Sequence, residues 1–166
     1  MKRFFVILCA IVFVQISAFP AVLQGGVSKN VPQGFFGVWK VAAVLESTTN
    51  PSMFSPATNE VWNLLRDGNV LTLTNPVSGA VASITVTESG SDTFTFVRKT
   101  GDGDENVIET VKLNLKDDKF LGLDTMVVRT YKNGAKIREV KARYKLAAVK
   151  IGSEKDARLF MQTFAY

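Results

Sequence analysis

Residues 107–151 decide the fold, and in order they read VIETVKLNLK, DDK, FLGLDTMVVRTYK, NG and AKIREVKARYKLAAVKI. Apolar and polar residues alternate with a period of two in the three longer runs, which is typical of strands that bury one face. Asp117-Asp118-Lys119 and Asn133-Gly134 separate these runs, and Asn-Gly is a strong signal for a β-hairpin turn. Neither connection has room for a crossover helix, so the stretch predicts three consecutive antiparallel strands.

Five further runs with the same alternation precede this stretch. They are Phe36–Glu46, Glu60–Arg66, Val70–Asn75, Ala80–Thr87 and Thr93–Lys99. Eight strands joined in order form a meander, and closing the sheet is the most complete way to remove its open edges. The sequence therefore predicts an all-β fold, an eight-stranded antiparallel up-and-down barrel, with a two-sheet sandwich as the alternative.

The segments on either side of the strands have different patterns. Residues 19–34 contain Pro20, Pro32 and Gly25-Gly26 without a clear period, so we expect an irregular leader. After the last strand, Ser153 with Asp156 three residues on predicts the start of a helix. An apolar stripe at helical spacing follows, formed by Ala157, Phe160, Met161 and Phe164. We interpret residues 35–166 as one barrel domain that ends in a short C-terminal helix.

Residues 1–18 have the parts of a secretory signal peptide. Lys2 and Arg3 precede an apolar run, Phe4 to Val14, which is shorter than the ~20 residues that a membrane-spanning helix needs. Small residues predict cleavage after Ala18, with Ala21 as the second choice. The chain's one cysteine lies in this segment, so the exported part would form no disulfide. We expect a periplasmic or extracellular protein with no transmembrane segment after signal cleavage.

The composition excludes several classes of chemistry. The chain has no histidine, which rules out Ser-His-Asp and Cys-His mechanisms and zinc sites that need imidazole. We interpret the carboxylates as concentrated in turns rather than across one cavity. Gly101–Asn106 is the densest such segment, and we favour a tight turn there over a calcium loop. We therefore expect a protein that is not an enzyme and holds no cofactor or metal.

The triplet Gly37-Val38-Trp39 opens the first strand, directly after the irregular residues Gly34-Phe35-Phe36. This G-x-W triplet, together with the eight-strand meander, resembles the lipocalin and wider calycin families. The resemblance implies that Trp39 plugs one end of the barrel. It also implies that a basic side chain from the last strand, Arg143 or Lys150, covers Trp39. The alternative is that Trp39 is an ordinary core aromatic residue.

Two functions are compatible with an exported barrel of this size. The first is binding of a small hydrophobic or amphipathic ligand inside, because eight strands enclose room for side chains or one small molecule. The inward residues expected to line it are Trp39, Leu45, Phe94, Phe96, Leu113 and Tyr144. The second is an interaction protein with a filled core, such as an inhibitor or an accessory factor that contacts an envelope protein. Its contacts would come from the loop Ser47–Asn59, where Met53 and Phe54 form an apolar tip.

A basic face is predicted on the last strand. Lys141, Arg143 and Lys145 alternate with apolar residues and therefore share the outward side. We favour a solvated wall whose lysines discourage edge pairing over a site for an anionic surface. No aromatic residues interleave with these cations at the surface, so no nucleic-acid partner is expected. A membrane barrel is a third alternative, disfavoured because several predicted strands are shorter than the ~9–11 residues that such barrels use.

Overall fold

Eight antiparallel strands close into a barrel in the computed structural model, which describes residues 31–67, 70–78 and 80–163. The strands are β1 Gly37–Thr48, β2 Ala57–Asp67, β3 Val70–Asn75, β4 Ala80–Ser89, β5 Thr93–Asp102, β6 Glu105–Lys116, β7 Lys119–Lys132 and β8 Ala135–Gly152. Each strand pairs with its neighbours in sequence, and β1 pairs with β8. The predicted all-β class and the up-and-down barrel are confirmed.

Several strands extend further than the hydrophobic pattern indicates. β2 begins at Ala57 rather than at Glu60, because Ala57 and Thr58 pair with Val44 and Ala43 of β1. β5 continues to Asp102, and β6 begins at Glu105, so only the turn residues 103–104 separate them. Backbone pairing continues a strand through polar residues, and an alternation of side-chain polarity cannot reveal that.

The strand directions give the barrel two different ends. The closed end contains the start of β1, the end of β8 and the β6–β7 turn. A short 3₁₀ helix, Gln33–Phe35, lies against this end, and Phe35 is fully buried. The open end contains the β1–β2 loop, residues 49–56, together with the β3–β4, β5–β6 and β7–β8 turns.

Aromatic side chains fill the closed half of the interior. Trp39 packs on Phe120 with 4.9 Å between ring centroids, and Phe94 stacks on Phe96 at 5.2 Å. Phe35 meets Phe94 edge to face at 5.0 Å. The indole N–H of Trp39 donates to the carbonyl oxygen of Phe35 at 2.8 Å, so its one donor is satisfied although the side chain is only 1% exposed.

The predicted C-terminal helix is present as α1, Glu154–Thr163. Ser153 caps it: its backbone N–H donates to Asp156 Oδ2 at 2.7 Å, and the Asp156 N–H donates to Ser153 Oγ at 3.3 Å. Ala157 is buried against Val38 and Leu65, so the helix packs on the outer face of β1 and β2. In the described parts of the chain, no helix has the length and apolar character needed to cross a bilayer.

Parts of the predicted domain plan lie outside the described residues. These parts are the signal segment 1–18, most of the leader 19–34, and Phe164 of the helical stripe. Within residues 31–34 the chain lies against the barrel, since Val31 belongs to the hydrophobic core. The signal peptide and its cleavage site stay predictions.

Candidate functional site

Four charged residues point into the barrel, where the strand pattern otherwise places apolar side chains. Arg98 on β5 is in phase with Phe94 and Phe96, and Glu109 on β6 lies directly opposite Arg98 in the strand register. Glu60 on β2 lies opposite Val41 of β1, and Asp124 on β7 lies opposite Val111 of β6, so both are also in the inward phase. We call Glu60, Arg98, Glu109 and Asp124 the interior cluster.

An ion pair forms the first part of the interior cluster. Arg98 Nε contacts Glu109 Oε2, and Glu109 is 5% exposed. Burial lowers the pKa of Arg98, while the negative charges of Asp124 and Glu60 oppose that shift. Glu109 loses most of its hydration in this pair while the Arg98 side chain stays 27% exposed, so the pair contributes little net stability. The pair therefore calls for an explanation other than stability.

Asp124 forms the second part of the interior cluster. It lies opposite Val111 on β6 and Tyr144 on β8, and it is 9% exposed. Its Oδ1 atom is buried and has no hydrogen-bond partner. Burial raises the pKa of Asp124 to about 6; the negative charge of Glu60 adds to this, and the positive charge of Arg98 opposes it. A buried oxygen without a donor is costly, and such groups concentrate at functional sites.

Glu60 connects the interior cluster to the aromatic half of the barrel. The indole N–H of Trp62 donates to Glu60 Oε2 at 2.8 Å. Trp62 in turn stacks over Phe120, with 6.1 Å between the ring centroids. The carboxylate of Glu60 is therefore fixed at the boundary between the packed aromatic half and the charged half of the interior.

The β1–β2 loop folds over the open end above this cluster. Phe54 at its tip is half-buried and packs against the hydrophobic core. The hydroxyl of Tyr144 donates to the carbonyl oxygen of Ser55 at 3.1 Å, which holds the loop above the wall that carries Asp124. Met53 is half-buried as well, and Arg138 Nη2 lies 3.7 Å from its sulfur. The predicted apolar tip is thus turned toward the barrel mouth.

The six residues predicted to line a ligand site all point inward, but they occupy two regions. Trp39, Phe94, Phe96 and Leu113 are 1–2% exposed and pack together in the closed half. Leu45 and Tyr144 are near the open end, and Leu45 pairs with Tyr144 in the register between β1 and β8. These two lie at the level of the interior cluster, and Phe96 lies at its boundary, two residues from Arg98 on the same face of β5.

The predicted basic face is on the outer wall, and its cations have acidic partners. Arg143 and Lys145 contact Glu46 at 2.9 Å each, and Lys141 contacts Glu139 at 3.3 Å. Hydrogen bonds from Arg129, Lys136 and Lys141 lower the pKa of Glu139 to about 2. The hydrogen bond from Lys145 likewise lowers the pKa of Glu46.

The basic residue that covers Trp39 is Lys150. Its Nζ lies 5.3 Å from the Trp39 ring centroid and donates to the carbonyl oxygen of Gly34 at 2.8 Å. Arg143, the other candidate, is bound to Glu46 toward the opposite end of the strand. The register decides between them, because Trp39 lies directly opposite Lys150.

The expectation that carboxylates are confined to turns is wrong. Glu60, Glu109 and Asp124 all lie on strands and point inward. The sequence did contain a signal for them, since each occupies the inward phase of its strand. Glu109, for example, falls between Val107 and Val111 on the apolar face of β6.

A surface groove of about 490 Å³ lies at the closed end, between the 3₁₀ helix, the end of β8 and the start of α1. Its polar lining groups bind one another. Gln33 Nε2 donates to Glu154 Oε2 at 2.8 Å, and Lys150 donates to Gly34. The groove is therefore a junction between elements, and the interior cluster is the stronger candidate site.

Fold and cluster together define the class: a closed eight-stranded antiparallel barrel with an aromatic closed half and a charged open half. Comparison with models of protein families, with curated proteins and with solved structures finds no match. Across the described residues, no three His, Cys, Asp or Glu side chains are grouped so that they could hold a metal ion.

Proposed function

We propose that the protein is an exported barrel of lipocalin or calycin type that binds one small amphipathic molecule in its open half, beneath the β1–β2 loop. The observation that carries this proposal is the buried Oδ1 of Asp124, which has no hydrogen-bond partner beside the Arg98–Glu109 pair. Charges inside a barrel lower its stability unless something binds them. A ligand with a polar group would supply the missing contact.

Binding rather than catalysis fits the groups in this region. The chain lacks histidine, Glu109 is neutralised by Arg98, and Glu60 accepts a hydrogen bond from the Trp62 indole. This arrangement holds charges in fixed positions but does not pair a nucleophile with a base. The outer wall supports a barrel surrounded by water, since Lys141, Arg143 and Lys145 are exposed there.

The position of Phe54 supports entry through the open end. Phe54 lies on the core at the barrel mouth, and its loop is held there by the Tyr144–Ser55 hydrogen bond. A ligand that reaches Asp124 from the open end has to displace Phe54. We therefore expect this side chain to cover the ligand once it has bound.

The test is native mass spectrometry of delipidated protein against a panel of hydrophobic and amphipathic small molecules. We expect one bound molecule per chain, with dissociation about tenfold faster in Phe54→Ala, because most changes at a binding site act on the dissociation rate. Val77→Ala is the matched control: Val77 is an apolar side chain at the same end, but it is 81% exposed. Absence of uptake from the whole panel would contradict the proposal.

The alternative proposal is an interaction protein that acts through the β1–β2 loop. The solid aromatic packing of the closed half supports it, because a filled core needs no ligand. The inward position of Phe54 counts against it, since a docking loop would present its apolar tip to a partner. If this alternative holds, the wild type captures an envelope protein and deleting Met53–Ser55 abolishes that capture. Capture that persists after the deletion, or no capture by the wild type, would contradict it.

A further inference from the structure

The charges in the open half of the interior are unequal. Arg98 is the single cation of the interior cluster, and it faces three carboxylates, Glu60, Glu109 and Asp124. Contact with Glu109 occupies the Arg98 Nε donor. The cluster therefore carries a surplus of negative charge inside a wall that is otherwise apolar.

The group in this cluster that lacks a hydrogen-bond partner is an acceptor. Asp124 Oδ1 is buried without a donor, and Glu60 accepts a hydrogen bond only from the neutral Trp62 indole. A ligand that completes the site has to bring a donor, and a positively charged donor also offsets the surplus charge. An anionic headgroup would meet only Arg98, which already has a carboxylate partner.

The surroundings of Asp124 also define the rest of the ligand. Val111 lies directly opposite Asp124, Phe96 lies opposite Val111 at the edge of the aromatic half, and both are 1% exposed. Leu45, Phe54 and Met126 pack against the same core from above. A ligand that contacts these groups needs an apolar part next to its cationic head.

We propose that the ligand is an organic cation, a primary or secondary amine with an apolar tail, whose ammonium group binds between Asp124 and Glu60. This inference rests on the proposed function, because it names the ligand class for the same site. The three carboxylates of the interior cluster are not grouped so that they could hold a metal ion, which favours an ammonium ion as the bound cation.

The experiment compares three probes that share one tail: octylamine, octanol and octanoate, each titrated by calorimetry into the full-length chain at about neutral pH. We expect octylamine to bind at least about tenfold more tightly than octanol, and octanoate to bind most weakly. Asp124→Asn removes the preference for the amine but leaves octanol binding unchanged. Asp118→Asn, an exposed carboxylate at the closed end, is the matched control and keeps the preference.

A second measurement needs no variant. Lowering the pH from about 7.5 to about 5 protonates Asp124 while the amine stays charged, so octylamine affinity falls roughly tenfold and octanol affinity does not change. The titratable and charged groups that face Asp124 are Arg98, Glu109, Tyr144 and Glu60, from β5, β6, β8 and β2.

The outcomes separate this inference from the proposal on which it rests. Equal affinities for octylamine and octanol would overturn the cation inference and leave a small-molecule site intact. Tighter binding of octanoate, or displacement of octylamine by calcium ions, would also overturn it. No binding of any of the three probes would count against both the inference and the proposed function.

Discussion

The two ends of the barrel differ in the sign and the position of their charged side chains. At the closed end, cations lie over aromatic rings: Lys150 over Trp39 at 5.3 Å and Arg66 over Phe36 at 5.0 Å. In the open half, carboxylates point into the interior, and the oxygen of Asp124 that lacks a donor is buried there. The closed end also has buried polar atoms without a hydrogen-bond partner, including Arg66 Nε and Nη2 and both side-chain polar atoms of Asn63. A ring face partly offsets the Arg66 cation, and Asn63 is out of phase with the inward Trp62, so it does not face the interior.

This difference indicates a division between the two ends of the same strands in what they contribute to stability. The residues around Trp39 stabilise the fold, because the Trp39 ring packs on Phe120 and its N–H has a hydrogen-bond acceptor. The buried carboxylate of Asp124, which has no donor for Oδ1, lowers the stability of the fold when it is charged. If the division is real, substitutions at the closed end reduce stability, and neutralising Asp124 increases it.

The largest expected effect is at the closed end. Trp39→Ala removes a side chain that packs on Phe120 and donates to Phe35, so we expect a loss of about 3–5 kcal/mol in the free energy of unfolding. At this chain size each kcal/mol lowers the melting temperature by roughly 2–4 °C. Urea and thermal unfolding measure both quantities. A variant that melts within a few degrees of the wild type would show that Trp39 does not carry the closed end.

The second prediction concerns Asp124 and pH. Burial raises the pKa of Asp124 from the ordinary aspartate value of 3.8 to about 6, so the folded state binds this proton more tightly than the unfolded chain does. The contribution of Asp124 to stability is therefore fully present below about pH 4 and is lost as the pH rises through about 6. Asp124→Asn should be more stable than the wild type by on the order of 2–3 kcal/mol at pH 7.5 and similar to it near pH 4.

Urea unfolding at the two pH values measures this difference. Asp118→Asn is the control, because an exposed carboxylate at the closed end should change stability by less than about 0.5 kcal/mol at either pH. Other carboxylates work in the opposite direction at lower pH: Glu139, with its pKa lowered to about 2, loses stabilising contacts as the pH falls below about 4. An Asp124→Asn variant less stable than the wild type at pH 7.5 would contradict the division between the two ends.

A smaller effect sharpens the description of the closed end. Lys150→Met removes the cation over Trp39 and its bond to Gly34, so we expect a loss of about 1–2 kcal/mol. Arg143→Met on the same strand removes a solvent-exposed ion pair with Glu46, which should cost less than the loss of Lys150. Chemical denaturation of the two variants measures both losses in the free energy of unfolding. Equal losses would mean that the lysine does not stabilise Trp39.

The smallest effect is expected on the outer wall. Replacing each of Lys141, Arg143 and Lys145 by Gln in one triple variant should leave the fold intact. Neither the wild type nor the triple variant should bind vesicles of anionic lipid. These cations already face Glu46 and Glu139, which reduces their attraction to another anionic surface. Co-sedimentation at low and high salt measures binding, since exposed charges are screened beyond about 8 Å. Salt-sensitive binding by the wild type alone would assign the outer wall a function.

The alternation of polar and apolar residues was sufficient to predict the strands, their order and the closed barrel. It also predicted that Trp39 and Phe94 point inward, because inward phase follows from a period of two. The same phase would have placed Glu109 and Asp124 inside, had charged residues been assigned by phase and not by polarity. That part of the site was therefore available from the sequence.

The sequence could not predict that the residues of the interior cluster lie close together. Glu60, Arg98 and Asp124 are on three different strands, and their relative heights depend on the stagger of the barrel. An irregular register between Val86 and Glu88 shifts β4 against β5 and so changes which residues face each other. The choice between Lys150 and Arg143 as the cover for Trp39 depends on register in the same way.

The pairing of β1 with β8 also governs how the molecule assembles in time. Val38 lies opposite Gly152, so the seam that completes the barrel joins residues from nearly opposite ends of the barrel sequence. Contacts between such distant residues form slowly, and β8 is the last of the eight strands to be synthesised. Until Gly152 is available, β1 and β7 each keep an unpaired edge that can pair with another chain. A chain that stops short of β8 should therefore aggregate, whereas the complete barrel covers both edges with one strand of 18 residues.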